Sequence, residues 1–113
     1  MNHRDKIILV KIISELNIAL ELISDTSQDD FTDNEMQKRA VSMTVINIGE
    51  LVKSVTNETR TQYPEIAWRE AAGFRDIAAH AYQTLNMGDV YNTVLNDFPK
   101  FKQQIQEILL DID

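Results

Sequence analysis

The sequence predicts an all-α fold, a bundle of four to five helices. Three observations favour this class: 43% of the 113 residues are apolar, the chain has only three glycines and two prolines, and no segment alternates apolar and polar residues as a half-buried strand does. A chain of this length closes one hydrophobic core, so we expect a single domain over residues 1–113.

Composition also limits the function. The chain has no cysteine, so disulfides and thiolate metal sites are excluded, and we expect a cytoplasmic protein. Lys11 and Glu15 interrupt the first apolar run and no small-residue cleavage site follows it, so neither a signal peptide nor a membrane span is predicted. The net charge of −7 argues against a broad phosphate-binding surface, because such affinity comes mostly from Lys and Arg. Any contact with RNA must be local.

The first helix is predicted over residues 4–24. Eight of its apolar residues fall on one stripe at a period of 3.6. They are Ile8, Leu9, Ile12, Ile13, Leu16, Ala19, Leu20 and Ile23. Four further apolar residues lie off that stripe, namely Ile7, Val10, Ile18 and Leu22. So much additional apolar surface favours a second contact, such as another subunit.

An acidic stretch, "SDTSQDDFTDNE", follows the first helix. We expect a solvated loop here, the alternative being a docking patch for a basic partner. Thr32 and Glu35 have the spacing of a capping box, and Phe31 and Met36 have that of a hydrophobic staple. These four residues predict where the second helix begins.

The second helix is predicted to end near Val55. Its buried stripe comprises Ala40, Val41, Thr44, Val45, Ile48, Leu51, Val52 and Val55. Asn47 and Glu50 lie on the other side, with Gly49 beside them. A glycine in mid-helix costs about 1 kcal/mol relative to alanine, which indicates that another element packs close to it.

A third helix is predicted over residues 67–82. It follows a polar connection that contains Pro64 and a short helical start near Glu65. Gly73 predicts a kink or a join within it, and Trp68 is expected to anchor the core.

The last helical region is predicted to begin after Asn86, which has the side chain and spacing of an N-cap with Asp89 three residues on. Pro99 must bend or restart this region, because proline lacks the N–H that its helix would use.

One arginine, one aspartate, one histidine and one tyrosine stand in the segment "GFRDIAAHAYQTL", residues 73–85. Arg75 and Tyr82 are seven residues apart and share one stripe of a helix, whereas Asp76 and His80 have the spacing of a contacting pair. Arg75 and His80 lie about 140° apart around the axis, so one straight helix does not easily aim both at one atom. A local distortion or a second copy of the chain would have to complete such a site.

These side chains are sufficient for metal-independent cleavage of RNA. The guanidinium of Arg75 suits phosphate oxygens, His80 can exchange a proton near neutral pH, and Asp76 can select the imidazole tautomer. The substrate's own 2′-hydroxyl would attack the adjacent phosphate. The structural alternative is a capped polar face on which His80 is hydrogen-bonded at a helix junction and Tyr82 lies at the edge of the core.

We expect no metal and no cofactor. His3, the other histidine, lies near the N-terminus, and no carboxylate and histidine cluster has metal-ligand spacing.

The stretch "RDIAAHAY" resembles the Arg-x4-His-x-Tyr motif of HepT-like toxins in the HEPN superfamily. The segments "QKRAV", "INIGE", "YPEIAWREAAGFRD" and "GDVYNTVLNDFPKF" resemble family segments in the same order. The resemblance therefore covers residues 35–105, which is most of the chain.

This resemblance implies a homodimeric, up-and-down HEPN bundle with ribonuclease sites at the two-fold interface. Arg75 and His80 become the catalytic pair and Asp76 the polar residue that follows the arginine. A MntA-like nucleotidyltransferase antitoxin would transfer AMP to Tyr82, and the added phosphate and adenosine would block RNA. By helical phase, Asn47 and Glu50 are expected to line the cleft.

Two other functions stay open at this point. One is a non-catalytic HEPN accessory or nucleotide-binding subunit of a minimal nucleotidyltransferase, and the other is a purely structural helical dimer. An intact Arg75 and His80 pair favours the ribonuclease, since an accessory subunit has no need of it. Asp76 stands where relatives often carry Asn, and it adds negative charge to a phosphate-binding site.

Overall fold

The computed structural model describes residues 1–111, which form eight helices and no strand. The helices are α1 (His3–Ile23), α2 (Gln28–Asp33), α3 (Glu35–Lys53), α4 (Asn57–Gln62), α5 (Trp68–Ala72), α6 (Phe74–Thr84), α7 (Gly88–Asn96) and α8 (Phe98–Leu110). The five longer helices, α1, α3, α6, α7 and α8, confirm the predicted all-α bundle, and the three short ones lie in its connections. No helix between residues 1 and 111 is both long and apolar enough to cross a membrane.

The central helices run up and down. Asp5 of α1 contacts Thr56 just after α3, whereas Glu15 contacts Asn47 further back, so α1 and α3 are antiparallel. Their facing apolar stripes form the middle of the core, where Leu9, Ile12, Leu16, Val41, Val45, Ile48 and Val52 are fully buried. Close packing of these side chains fixes the position of α3, on which α6 lies.

The outer face of α1 is exposed and apolar, as the sequence predicts. Ile7, Val10 and Ile18 are 45%, 53% and 44% exposed, whereas Leu22 packs partly against the core. These three side chains leave apolar surface that the single chain does not cover.

The predicted N-cap residue of the second helix is wrong. Asn34, not Thr32, accepts the N-cap hydrogen bond, from the backbone N–H of Gln37. Thr32 lies inside α2, a helix within the acidic stretch that we expected to be a loop. The expected staple is also absent, because Phe31 is fully buried against Tyr91 while Met36 is 83% exposed. That aromatic contact holds α2 in place.

The later connections differ from the prediction in three ways. An unpredicted helix, α4, forms before Pro64 and is capped by the side chain of Thr56. The helical start expected near Glu65 is a turn, and α7 begins after Met87 rather than after Asn86, whose amide instead donates to Asp89.

Three other expectations are confirmed. Gly73 separates α5 from α6, and Pro99 lies in the first turn of α8, where its missing N–H is not needed. Trp68 is buried, and its indole N–H donates to the Tyr63 carbonyl over 2.9 Å.

A buried carboxylate joins the start of α1 to the end of α3 and to α4. Asp5 is fully buried and accepts hydrogen bonds of 2.6 Å from the hydroxyls of Thr56 and Thr59. Burial raises the pKa of Asp5, but the hydrogen bonds from these threonines outweigh that effect and hold the pKa below its usual value. The charged form is therefore the one that the fold stabilises.

Candidate functional site

Helix α6 presents all four predicted side chains to the surface. Its inward side is formed by Phe74, Ala78 and Ala81, which are buried against the bundle. Because these residues are apolar and spaced at three to four, Arg75, Asp76, His80 and Tyr82 are left on the exposed part of the helix. The helix ends at Leu85, which takes the left-handed conformation with φ 59°. The candidate site is therefore carried by one short, well-defined helix.

Arg75 lies beside Glu50 of α3. Its Nε is 3.1 Å from Oε1 of Glu50, and both side chains are about half exposed, at 51% each. The two helices approach closely here, since a Cβ on Gly49 would lie 2.9 Å from the backbone nitrogen of Arg75. Gly49 is thus the position at which α6 packs against α3, which is the close contact that the mid-helix glycine predicts.

His80 lies apart from this pair. Five residues separate it from Arg75, which on a regular helix corresponds to about 7.5 Å along the axis and about 140° around it. Within residues 1–111, no hydrogen bond or ion pair joins the side chain of His80 to Asp76, although their spacing permits one. One copy of the chain therefore exposes Arg75 and His80 in different directions, and the helix is not distorted to bring them together.

Tyr82 lies on the same side of α6 as Arg75 and contacts the other end of α3. Its hydroxyl donates to Oε1 of Glu35 over 3.0 Å, and the side chain is 40% exposed. Glu35 also pairs with Lys38 at 3.0 Å and with Arg39 at 3.2 Å. The pKa of Glu35 is held below its usual value by hydrogen bonds from Lys38, Tyr82 and Arg39. This favours the charged carboxylate, which accepts the hydrogen bond of the tyrosine.

A groove of about 490 Å³ lies between α1 and α3, next to the Arg75 pair. Its lining residues are Lys11, Ser14, Glu15, Ile18, Asn47, Glu50, Leu51 and Ser54. The amide of Asn47 donates to Glu15 across it over 3.3 Å. Asn47 and Glu50 thus line one groove, which joins the apolar outer face of α1 at Ile18 to Arg75 at Glu50.

The sequence did not identify Glu35 or Glu15 as neighbours of these residues. Glu35 is 47 residues from Tyr82, and only the antiparallel packing of α3 against α6 brings the two together. A helical-wheel comparison of α3 and α6 could have suggested the contact once their pairing was known.

Residues 1–111 contain no group of three or more histidine, aspartate or glutamate side chains that could hold a metal ion. The chemistry that the exposed side chains offer is that of a cation, a titratable imidazole and a phenol.

Comparison with known proteins gives consistent matches over most of the chain. A family model described as Ribonuclease HepT-like matches residues 12–108. A candidate RNase of Caldanaerobacter subterraneus is 32% identical over 101 residues, covering 89% of this chain and 90% of the relative. A probable ribonuclease HepT of Thermococcus cleftensis is 30% identical over 100 residues, covering 85% and 91%.

A longer relative from Methanocaldococcus jannaschii, named as a gamma-glutamylcyclotransferase and candidate RNase, is 32% identical over 108 residues. This match covers 96% of the chain but only 49% of that relative, so the chain spans about half of its length. No solved structure gives a significant match.

Proposed function

The chain belongs to the HepT-like ribonuclease family, and from that premise we propose that it is a toxin of a toxin–antitoxin system that cleaves RNA without a metal. The family and the names of its relatives support the coarser statement, an RNA-cleaving enzyme. The observation that carries the finer proposal is the exposure of Arg75, His80 and Tyr82 on the one helix that holds the family-like motif.

A homodimer would resolve the separation of Arg75 and His80. A two-fold axis beside α6 would set Arg75 of one copy opposite His80 of the other, so that each phosphate meets both side chains. The apolar outer face of α1, with Val10 53% exposed, supports such an assembly, since the single chain leaves it uncovered. The dimer would thus cover the surface that the single chain leaves exposed.

In the proposed reaction the substrate's 2′-hydroxyl attacks the adjacent phosphorus. His80 accepts or returns the proton, and the guanidinium of Arg75 stabilises the negative charge that develops on the phosphoryl oxygens. The bond from phosphorus to the 5′-oxygen breaks, which leaves a 2′,3′-cyclic phosphate and a free 5′-hydroxyl. Asp76, in the first turn of the same helix, can select the tautomer of His80 when the side chains rearrange around bound RNA.

Regulation is proposed to act through Tyr82. A MntA-like nucleotidyltransferase antitoxin would transfer AMP from ATP to the tyrosine oxygen and release pyrophosphate. Because Tyr82 and Arg75 share one side of α6, the added phosphate and adenosine would lie on the face that carries Arg75 and would hinder the approach of RNA. Tyr82 is 40% exposed, so such a partner can reach its side chain, and the transfer would replace the hydrogen bond to Glu35.

Cleavage assays with Arg75→Ala and His80→Ala test the proposed activity. Each variant is expected to lose RNA cleavage and growth inhibition while keeping its dimer and its helical circular dichroism, because both side chains are exposed. Wild-type cleavage should persist in EDTA and yield cyclic phosphate ends. Retained RNA cleavage in either variant would contradict the proposed activity. Tight nucleotide binding without RNA turnover would instead favour the accessory-subunit function.

Intact-mass spectrometry tests the proposed regulation. Wild-type protein co-expressed with a neighbouring nucleotidyltransferase should gain the mass of AMP, and Tyr82→Phe should not. Only the unmodified protein should cleave RNA. A mass increment that persists in Tyr82→Phe would place the modification elsewhere.

A further inference from the structure

One face of the Arg75 guanidinium is already engaged in the structure. Oε1 of Glu50 contacts Nε over 3.1 Å, and within residues 1–111 no other side chain pairs with this guanidinium. A guanidinium has five N–H donors, of which Nε carries one and the two terminal nitrogens carry four. The contact therefore leaves the terminal edge free to bind two oxygens of a phosphate.

We propose that Glu50 is a positioning residue that holds Arg75 for the scissile phosphate. The inference rests on the proposed ribonuclease function and assigns to Glu50 a role in it. Without a partner, an exposed arginine side chain samples many rotamers, and a catalytic group that is displaced by about 1 Å can lose on the order of 100-fold in rate. The ion pair at Nε restricts that freedom and does not occupy the phosphate-binding edge.

The position of Arg75 near the start of α6 favours a neighbouring carboxylate. Arg75 is the second residue of α6, at the end of the helix where the backbone dipole is positive and a cation is disfavoured. Glu50 comes from another helix and supplies the compensating negative charge. An exposed ion pair adds little to folding stability, so its value here lies in orientation.

The backbone of the fold maintains this contact. Gly49 has no side chain, and an added Cβ would lie 2.9 Å and 3.0 Å from the nitrogen and Cβ of Arg75. The two helices therefore contact through their backbones at this point. The residue that follows Gly49 is Glu50, so the same close approach that requires glycine carries the carboxylate to the guanidinium.

Two substitutions separate orientation from charge. Glu50→Gln keeps the size and polarity of the side chain but removes the negative charge of the ion pair, whereas Glu50→Ala removes both. Glu21→Ala is the matched control, since it removes an exposed carboxylate of α1 that makes no hydrogen bond or ion pair within residues 1–111. RNA cleavage is measured for all three with kcat and KM determined separately.

The expected result is a drop in kcat of about 10- to 100-fold for Glu50→Ala, a smaller drop for Glu50→Gln, which keeps a polar side chain beside Arg75, and no change for the control. Nitrogen-15 NMR of the arginine Nε–H groups gives a readout that folding alone does not move. The Arg75 Nε signal should shift in Glu50→Gln and in Glu50→Ala, because both remove the neighbouring negative charge, and it should not shift in Glu21→Ala.

Cleavage that stays equal or rises in Glu50→Ala would overturn the inference, and a rise would mean that Glu50 masks Arg75. An Arg75 Nε signal that does not shift in Glu50→Ala would overturn it as well. If the wild type cleaves no RNA at all, the proposed function itself is wrong and the inference falls with it. The wild-type assay therefore distinguishes the two failures.

Discussion

Gly49→Ala is expected to destabilise the protein, although alanine is the better helix former. In mid-helix the substitution gains about 0.5–1 kcal/mol, because glycine loses more backbone entropy on folding. The new methyl group would lie 2.9 Å from the nitrogen and 3.0 Å from the Cβ of Arg75, atoms that no side-chain rotation can move. Overpacking of this kind costs about 1–3 kcal/mol. Together these ranges give a net loss of up to about 2.5 kcal/mol, with α6 shifted away from α3.

Urea unfolding followed by circular dichroism at 222 nm measures this change. Gly73→Ala is the control, since Gly73 has a φ of −75°, and an added Cβ there would meet only carbonyl oxygens, at 3.3 Å and 3.7 Å. Its midpoint should change little. A Gly49→Ala protein that is more stable than wild type by the full propensity gain would refute the close approach of α3 and α6. It would also remove the structural basis for placing Glu50 at Arg75.

Two further predictions concern the buried carboxylate and the tyrosine. Asp5→Ala should lower the free energy of unfolding at pH 7 by about 2–4 kcal/mol, because the hydroxyls of Thr56 and Thr59 lose their buried acceptor. Since the pKa of folded Asp5 lies below its unfolded value of about 3.9, this stabilisation is complete above that pH and is lost as the pH falls through the folded pKa. The stability difference between wild type and Asp5→Asn, followed by urea unfolding, should therefore shrink below about pH 4, and a difference that stays constant down to pH 2 would contradict this. Tyr82→Phe should shift the thermal midpoint by no more than about 2 °C, because its hydrogen bond to Glu35 lies at the surface; a larger loss in calorimetry would mean that the tyrosine is structural.

The sequence predicts the elements whose pattern is local. The apolar stripe of the first helix has a clear 3.6 period, and the structure buries Leu9, Ile12 and Leu16 from it completely. Gly73 interrupts the third predicted helix where the structure separates α5 from α6. These predictions succeed because a stripe or a glycine acts through its own neighbours in the chain.

The elements that the sequence missed depend on distant contacts. Helix α2 is held by Phe31 against Tyr91, 60 residues further along the chain, and its presence moves the cap of α3 from Thr32 to Asn34. Helix α4 has no apolar periodicity and is secured by Asp5, more than 50 residues away. No local pattern contains that information.

In the candidate site, too, the sequence predicts what depends on local spacing and misses what depends on distant contacts. Spacing alone predicts that Arg75 and Tyr82 share one side of a helix and that His80 lies on another. Helical phase places Glu50 on the surface of α3, but its 3.1 Å contact with Arg75 depends on how closely α3 and α6 pack. The contact between Tyr82 and Glu35 was not predicted, because it requires the antiparallel pairing of two helices that are distant in sequence.

A composite site requires that Arg75 of one copy and His80 of another serve the same phosphate. Mixing Arg75→Ala with His80→Ala, after subunits carrying different tags have exchanged, tests it directly. Half of the dimers are then mixed and each has one complete site, so about one quarter of the wild-type RNA cleavage should return. Cleavage no greater than that of the two separate variants, with mixed dimers present by tag co-purification, would contradict the composite site.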